Sequence, residues 1–423
     1  MRLIVIISLL FLTHQIQSQW IVNPSGVTGN LRQIAFYNQN TGWIAGDGGT
    51  VLKTTNGGTL WFPLNTGISQ DLYAITCSDS LTVIACGTGG MIIRSTNSGA
   101  DWTMGASGTG STLRSIAWDP YYTNFKAAGD NGVILLSTNN GSTWSPQASS
   151  TSSRLNYIIY FSGYSSGYGS EVMGDNGVKK YYSSNQWLTD GGFPASSDNL
   201  LAGVRVSRAL FSPFAIMCSE SGNIYKRRGI PGTANWILRS TGVSTPLRSI
   251  ADGNFSLNSY GNAGKYLWAV GDNGVIRYSA DTGNTWQAQL SGVVVRLNSI
   301  LMLDSLRGFI AGDGGLIMRT FTGGTIGVQQ ISSVVPKEFS LRQNYPNPFN
   351  PVTSIEFSLP VSSYVRLAIY DAAGREVETL VNGQIFAGVF KTEWNAADSP
   401  SGIYFYKFSV NGETETRKMI LVK

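Results

Sequence analysis

"AGDGGTVLKTTNGGTLW", Ala45 to Trp61, is the stretch on which the fold turns, because the chain repeats it. It returns as "ACGTGGMIIRSTNSGADW" (Ala85–Trp102), "AAGDNGVILLSTNNGSTW" (Ala127–Trp144) and "VGDNGVIRYSADTGNTW" (Val270–Trp286). Three markers recur around it. A Leu-x-x-Ile/Val strand start falls at Leu31, Leu72, Leu113, Leu155, Leu201, Leu247 and Leu297. A turn follows Gly46, Gly87, Gly129, Gly174, Ser219, Gly271 and Gly312. A tryptophan closes each unit at Trp20, Trp61, Trp102, Trp144, Trp187, Trp236 and Trp286, spaced by 41, 41, 42, 43, 49 and 50 residues. A period of that size with four strand-sized pieces per unit is the pattern of a β-propeller blade.

In the first unit the pieces are "LRQIAFY", "GWIAG", "TVLKTT" and "LWFPL". Asp-Gly and Asp-Asn-Gly suit the positive φ angles of a tight hairpin between the second and third strands. The segment from the third strand to the fourth is similar to the Asp-box, Ser-x-Asp-x-Gly-x-Thr-Trp. "SADTGNTW" with Asp281 and Trp286 matches it fully, Asn56, Asn97 and Asn139 replace the acid before Trp61, Trp102 and Trp144, and units four and five are degenerate. These positions are expected to be structural, the side chain holding backbone N–H groups and the tryptophan packing between strands. Trp20 precedes any strand start and the last unit ends in "TFTGGTIG" without a tryptophan, so "QWIVNP" is expected to supply the final outer strand. The expectation is all-β: a seven-bladed propeller over 19–326, closed by its N-terminal strand, which removes an open sheet edge.

Composition bounds the chemistry. Met1-Arg2, the apolar run Leu3–Leu12 and a polar exit mark residues 1–18 as a secretory signal peptide, too short to span a membrane, with no later transmembrane segment expected. Its removal takes away His14, the one histidine, and with it histidine bases, Ser-His-Asp chemistry and histidine metal sites. Cys77, Cys86 and Cys218 show no CxxC, and the last two stand where other units carry alanine, which suits small buried side chains. The net charge of +5 includes Arg2, and from Val335 onward nine basic and nine acidic side chains balance, so no nucleic-acid partner is expected. No cofactor or metal is expected, and the protein is expected to be a monomer.

The propeller resembles the photosystem II assembly and stability factor family, best at Gly46–Trp61, Gly129–Trp144 and Gly271–Trp286. After a linker at 327–336 the style changes to short alternating strands, with Ile355, Phe357, Leu359 and Val365, Leu367, Ile369 marking buried faces; an Ig-like β-sandwich over 337–423 fits them. This tail closely resembles the type A C-terminal sorting domain of the type IX (Por) secretion system. The resemblance rests on Asn344-Tyr345-Pro346-Asn347-Pro348-Phe349-Asn350-Pro351, Tyr370-Asp371, Gly374-Arg375, Ser401-Gly402-Ile403-Tyr404 and Lys418 to Lys423. It implies type IX machinery as a partner, export through the periplasm and across the outer membrane, and a secreted or surface-bound product.

Three functions remain open at this point. A glycoside hydrolase needs two positioned carboxylates, whereas Asp47, Asp130, Asp175, Glu220, Asp272 and Asp313 repeat around the ring as turn residues, and no arginine-bearing "FRIP" motif is present. A binding protein for a protein or glycan would use the loop face, with Arg32, Arg114 and Arg248 at the inner strand starts beside those acids, and with Lys53, Arg94, Lys226 and Arg319 as a second basic series. These side chains either pair with the turn acids or lay their stems over strand edges, or they form an anion- or protein-binding funnel. A purely structural surface-layer component is the third reading.

Overall fold

The computed structural model describes residues 20–161, 169–191, 193, 197–206, 214–229, 236–253, 264–321, 323–324, 328–332, 335–361, 363–385, 387–397, 399–410 and 412–423. The expected signal peptide and His14 lie outside them. Among the described residues, seven four-stranded antiparallel sheets follow one another from Ile21 to Thr320. The first comprises Leu31–Phe36, Gly42–Gly46, Val51–Thr54 and Phe62–Leu64. The innermost strand of each sheet packs on that of the next, and Leu31–Phe36 packs on Leu297–Met302 of the seventh, so the series is circular. No helix among the described residues is long and apolar enough to cross a membrane.

Every sheet is covered on both faces, which is why the second strands read as unbroken small and apolar runs: all of Gly42–Gly46 and Val83–Gly87 is buried. The core is accordingly divided into layers between neighbouring sheets. One contains Ile34, Ile44, Leu52 and Trp61 of the first sheet with Phe309, Ala311 and Ile317 of the seventh. Cys86 and Cys218 fill alanine-sized places in such layers. In the hairpin after the second strand two successive residues take positive φ, as at Asn131 (58°) and Gly132 (68°). The second must be glycine, because a Cβ on Gly132 would collide with the Thr151 carbonyl of the loop entering the next sheet.

The seventh sheet is completed from the other end of the chain: Ile21–Asn23 pairs antiparallel with Ile317–Arg319. Trp20 is 1% exposed and its Nε1 donates to Gln289 Oε1 at 3.1 Å. Further contacts fasten the seventh sheet to the first. Asn23 Nδ2 donates to the Gly58 carbonyl at 2.7 Å, Asn298 Nδ2 to the Leu31 carbonyl at 2.8 Å, and Ile34 N to Ser299 Oγ at 3.2 Å. Phe36 stacks on Phe309 with centroids 5.2 Å apart.

Beyond the ring, two four-stranded sheets share one core in which Ile355, Phe357 and Phe390 of one meet Leu367, Tyr406 and Phe408 of the other. Val328–Ser332, placed in the linker by its polar composition, instead pairs with Val389–Thr392 as an edge strand. A second correction concerns the fifth sheet. Leu200, not Leu201, pairs with Ser219 as Leu31 pairs with Gly46, so the strand begins one residue earlier than the leucine marker suggests.

Deleting residues 19–24 from the mature chain is expected to destabilise the ring by about 3–5 kcal/mol, the range for truncating a buried tryptophan. Thermal melting checks this. An unchanged midpoint would show that the N-terminal strand does not close the ring.

Candidate functional site

All seven inner strands carry the same irregularity. Leu31 pairs with Gly46 and Gln33 with Ala45, so Arg32 is left over as a bulge. Tyr73, Arg114, Asn156, Leu201, Arg248 and Asn298 are left over in the same way. A bulge unpairs one residue and re-aims its side chain. Here it does so seven times at one end of the ring, beside the hairpins that carry Asp47, Asp130, Asp175, Glu220, Asp272 and Asp313. All seven bulged residues are half-buried.

The bulged arginines close on those acids. Arg32 Nε and Nη2 each lie 2.7 Å from an Asp47 oxygen, Arg114 holds Asp130 at 2.9 and 3.0 Å, and Arg248 holds Asp272 at 2.8 and 2.9 Å. Arg32, Arg114 and Arg248 are thus paired with the turn acids. Where asparagine replaces arginine, its amide spans two sheets. Asn156 Nδ2 reaches Asp175 at 2.8 Å and the Leu200 carbonyl at 2.9 Å, and Asn298 Nδ2 reaches Asp313 at 2.8 Å. In the second sheet both partners change together, to Tyr73 and Thr88. The Tyr73 ring then receives Arg32 and Arg114 at 5.6 and 4.9 Å from its centroid. Glu220 binds the Asn199 amide at 2.6 Å, and beside it a concavity of 340 Å³ is lined by Ser197, Asp198, Asn199, Glu220, Asn223 and Tyr225.

At this end of the ring the surroundings favour the ionised form of Asp130 and Asp272. Partial burial pushes Asp130 and Asp272 up, but the hydrogen bonds and charges of Arg114 and Arg154, and of Arg248 and Arg296, outweigh it and hold both below the usual aspartate range. Such groups are ionised acceptors, the opposite of a general acid tuned towards neutral pH. Each guanidinium uses two of its five donors on its acid, leaving the mouth a polar, oriented surface.

The second basic series lies elsewhere. Lys53 Nζ donates to Ser98 Oγ at 2.7 Å, Arg94 Nε to the Asn140 carbonyl at 2.5 Å and Lys226 Nζ to the Thr282 carbonyl at 2.6 Å. These are bolts from one sheet to the next sheet's third-to-fourth-strand turn. Arg319 lies 5.1 Å from the Phe321 ring centroid. The series is no part of a funnel, because the third strand runs away from the mouth.

The turns from third to fourth strand share one hydrogen-bond scheme. Thr54 Oγ1 accepts from Gly58 N (2.9 Å) and Asn56 Oδ1 from Leu60 N (3.0 Å); Ser95 with Asn97 and Ser137 with Asn139 repeat this. Trp102 and Trp144 donate to the Gly99 and Gly141 carbonyls at 3.1 and 3.2 Å, while Trp61 is 6% exposed and Trp286 packs against the layer between the fifth and sixth sheets. At Asp281, desolvation would raise the carboxyl, yet donors from Thr285, Ser279 and Asn284 bring it down to about 2.

The fourth and fifth sheets break the scheme, with Tyr182 and Arg227 where the hydroxyl of Thr54 stands. Arg227, 0% exposed, joins Glu171 (2.8 Å) to Asp190 (2.5 Å), Lys179 also binds Glu171, and Trp236 Nε1 donates to Asp190 at 3.2 Å. The signal for this cluster was present: Glu171 and Lys179 occupy places taken by Trp43 and Val51 in the first unit. Its side chains are sealed from solvent, so no substrate reaches them. Burial pushes the Cys77 and Cys218 thiols up to about 12, far from nucleophilic use at neutral pH. Among the described residues no three His, Cys, Asp or Glu side chains gather as a metal site requires.

In the tail, Asn344 is buried and Tyr345, Pro346, Asn347 and Pro348 are exposed, with Phe349 buried beside them. This loop meets the final strand at Lys418, and Lys423 follows that strand, its N–H donating to Ser401 Oγ at 3.0 Å. Gly374 and Arg375 sit apart in a hairpin, where Arg375 pairs with Asp371 at 2.8 Å. Gly402 and Tyr404 lie in the strand next to the last, and Tyr404 Oη donates to the Pro400 carbonyl at 2.8 Å.

Residues 343–423 match the family described as "Secretion system C-terminal sorting domain". No curated protein matches the chain in sequence. Among solved structures, "YCF48 bound to D1 peptide" is similar with a TM-score of 0.54 and 18% identity, over 72% of this chain and 98% of that one. YCF48 from Cyanidioschyzon merolae gives the same score and identity over 71% and 98%. The WD40 β-propeller domain of Doa1 gives 0.54 at 12% identity over 72% and 97%. At such identities the likeness is one of fold, and that fold is propeller-like.

Two outcomes are expected. Asp281→Ala should cost about 1 kcal/mol at neutral pH, the scale of a lost capping side chain. Because the folded carboxyl titrates below its ordinary 3.8, its contribution is present above about pH 4 and lost as pH falls through 2. Urea melts of wild type and variant should therefore converge across that window and stay apart above it. Arg227→Met should cost about 3–5 kcal/mol by leaving buried carboxylates short of compensation. An unchanged urea midpoint would reduce the cluster to packing.

Proposed function

We propose that the chain is an exported, non-catalytic seven-bladed β-propeller that binds an extended polypeptide across its arginine-bearing mouth, followed by an Ig-like tail that directs type IX secretion. The observation that carries this reading is the sevenfold bulge. It turns one residue per sheet towards a common opening and builds a polar, asymmetric surface there, with cationic, aromatic, amide and apolar positions in turn. A partner with alternating polar groups fits such a surface better than bulk electrostatic capture does. The neighbour named as YCF48 bound to a D1 peptide supports a peptide over a glycan. The tail's family supports secretion and a cell-surface or extracellular location.

The hydrolase reading is weaker on this geometry. Of its candidate acids, Asp47, Asp130 and Asp272 are held by Arg32, Arg114 and Arg248, Asp175 and Asp313 by Asn156 and Asn298, and Glu220 by Asn199. The turns around Asn56, Asn97, Asn139 and Asp281 read as Asp-boxes with a folding role, since they face away from the mouth. A purely structural surface component would leave the mouth without a specific ligand.

The triple variant Arg32→Ala, Arg114→Ala, Arg248→Ala is expected to abolish capture of the natural partner from culture while the ring stays folded. Asn56→Ala, Asn97→Ala, Asn139→Ala should lower the melting temperature and leave capture intact. Pull-down with wild type and both triples, beside a glycan array and a hydrolysis screen, checks this. Loss of binding in the folded asparagine variant with the arginine variant unaffected would place the site at the other end.

A further inference from the structure

The final strand, Glu413–Leu421, lies at the end of its sheet, paired on one side with Gly402–Val410. Its other side should present bare N–H and C=O groups. Towards its end it does not, because the loop at 343–351 covers it. Phe349 N donates to the Ile420 carbonyl and Val422 N to the Phe349 carbonyl, both at 3.0 Å. The Asn347 side chain takes the Ile420 N–H at 3.0 Å, and Gln343 Nε2 donates to the Lys418 carbonyl at 2.8 Å.

The loop is itself held rigid from within. Asn344, 2% exposed, donates to Thr353 Oγ1 at 2.8 Å and to the Pro346 carbonyl at 3.1 Å, and its own N–H goes to Tyr406 Oη at 2.9 Å. Phe349 is buried against Trp394, with centroids 5.5 Å apart. Against this order, Tyr345 stands 81% exposed, a large aromatic side chain turned to solvent on a braced loop. Exposed aromatics on an already ordered backbone are typical anchors of protein interfaces, because the loop loses no further backbone freedom on binding.

We infer that the secretion apparatus reads a folded, two-part epitope: the Tyr345–Pro348 turn together with the strand end from Lys418 to Lys423, assembled by Asn347 and Phe349. This rests on the proposed type IX role of the tail. It fits the extent of the family match, which begins at Gln343, whose side chain reaches the Lys418 carbonyl, and ends at Lys423. A linear terminal signal would need neither the turn nor its contacts. The occupant is the type IX secretion machinery itself, the partner that the sorting-domain match implies.

The test uses the full chain in a bacterium with type IX secretion, comparing periplasmic with surface and medium fractions by immunoblot. A chain lacking residues 335–423 tests the tail's role itself; its normal export would overturn the type IX reading. Tyr345→Ala, a surface change that leaves the melting curve unaltered, should lower export by about tenfold, the scale of a truncated aromatic anchor. Asn347→Ala should lower export as well, by removing the side chain that ties the turn to the Ile420 N–H and the Lys418 carbonyl. If the tail deletion blocks export but Tyr345→Ala is exported like wild type, the two-part epitope is wrong and the sorting role stands. The tyrosine variant decides the matter even if Asn347→Ala unfolds the tail.

Discussion

Closure of the ring governs everything else in the larger part of this protein. Each sheet buries both faces against neighbours, so an open series would leave two apolar faces and a loose strand edge in water. The chain resolves this by splitting one sheet between its two ends, with Ile21–Asn23 laid along Ile317–Arg319. Around that joint the contacts are layered: Asn298 at the mouth, Ser299 and the Phe36–Phe309 stack within, and Asn23 on Gly58 at the far end. The joint is thus fastened along the length of the strands, like the junctions between sheets joined by continuous chain.

Given a closed ring, the two ends acquire different chemistry from one repeated sequence. At one end, strand-to-strand turns are tied by short-range hydrogen bonds from Thr54, Asn56 and their counterparts, and Lys53, Arg94 and Lys226 each clamp such a turn of another sheet. At the other, bulges carry polar side chains into the opening, where charge is largely neutralised in pairs. A mouth so arranged holds fixed dipoles and guanidinium groups in place before any partner arrives, which reduces the ordering cost of binding.

The units that lose the turn motif show what the motif contributes. Where Arg227 replaces a hydroxyl, the junction between the fourth and fifth sheets is held by a buried network of Glu171, Lys179, Arg227 and Asp190. Buried charges are costly to desolvate and stabilise only when each finds partners. Here they do, and two solutions to one packing problem coexist in the ring.

What the sequence determined by itself was whatever depends on spacing along the chain. The recurrence of Trp61, Trp102 and Trp144, the glycine hairpins and the alternation from Ile355 to Leu359 made the repeated four-strand unit, the turns and the second sheet pair legible. The tail motifs were legible as well, since many positions agree in order. Tertiary structure alone decided what depends on register and on neighbours distant in sequence. A one-residue bulge leaves no mark on hydrophobic spacing, so Leu200 and Leu201 could not be told apart until Leu200 met Ser219. The arginines offered two partners until the hairpin acids stood beside them. Val328–Ser332 reads as linker because an edge strand needs little apolar character and takes its order from the strand it joins. Asn347 reaches Ile420 across 73 residues, a pairing that no local preference encodes because it forms only once both sheets of the tail are in place.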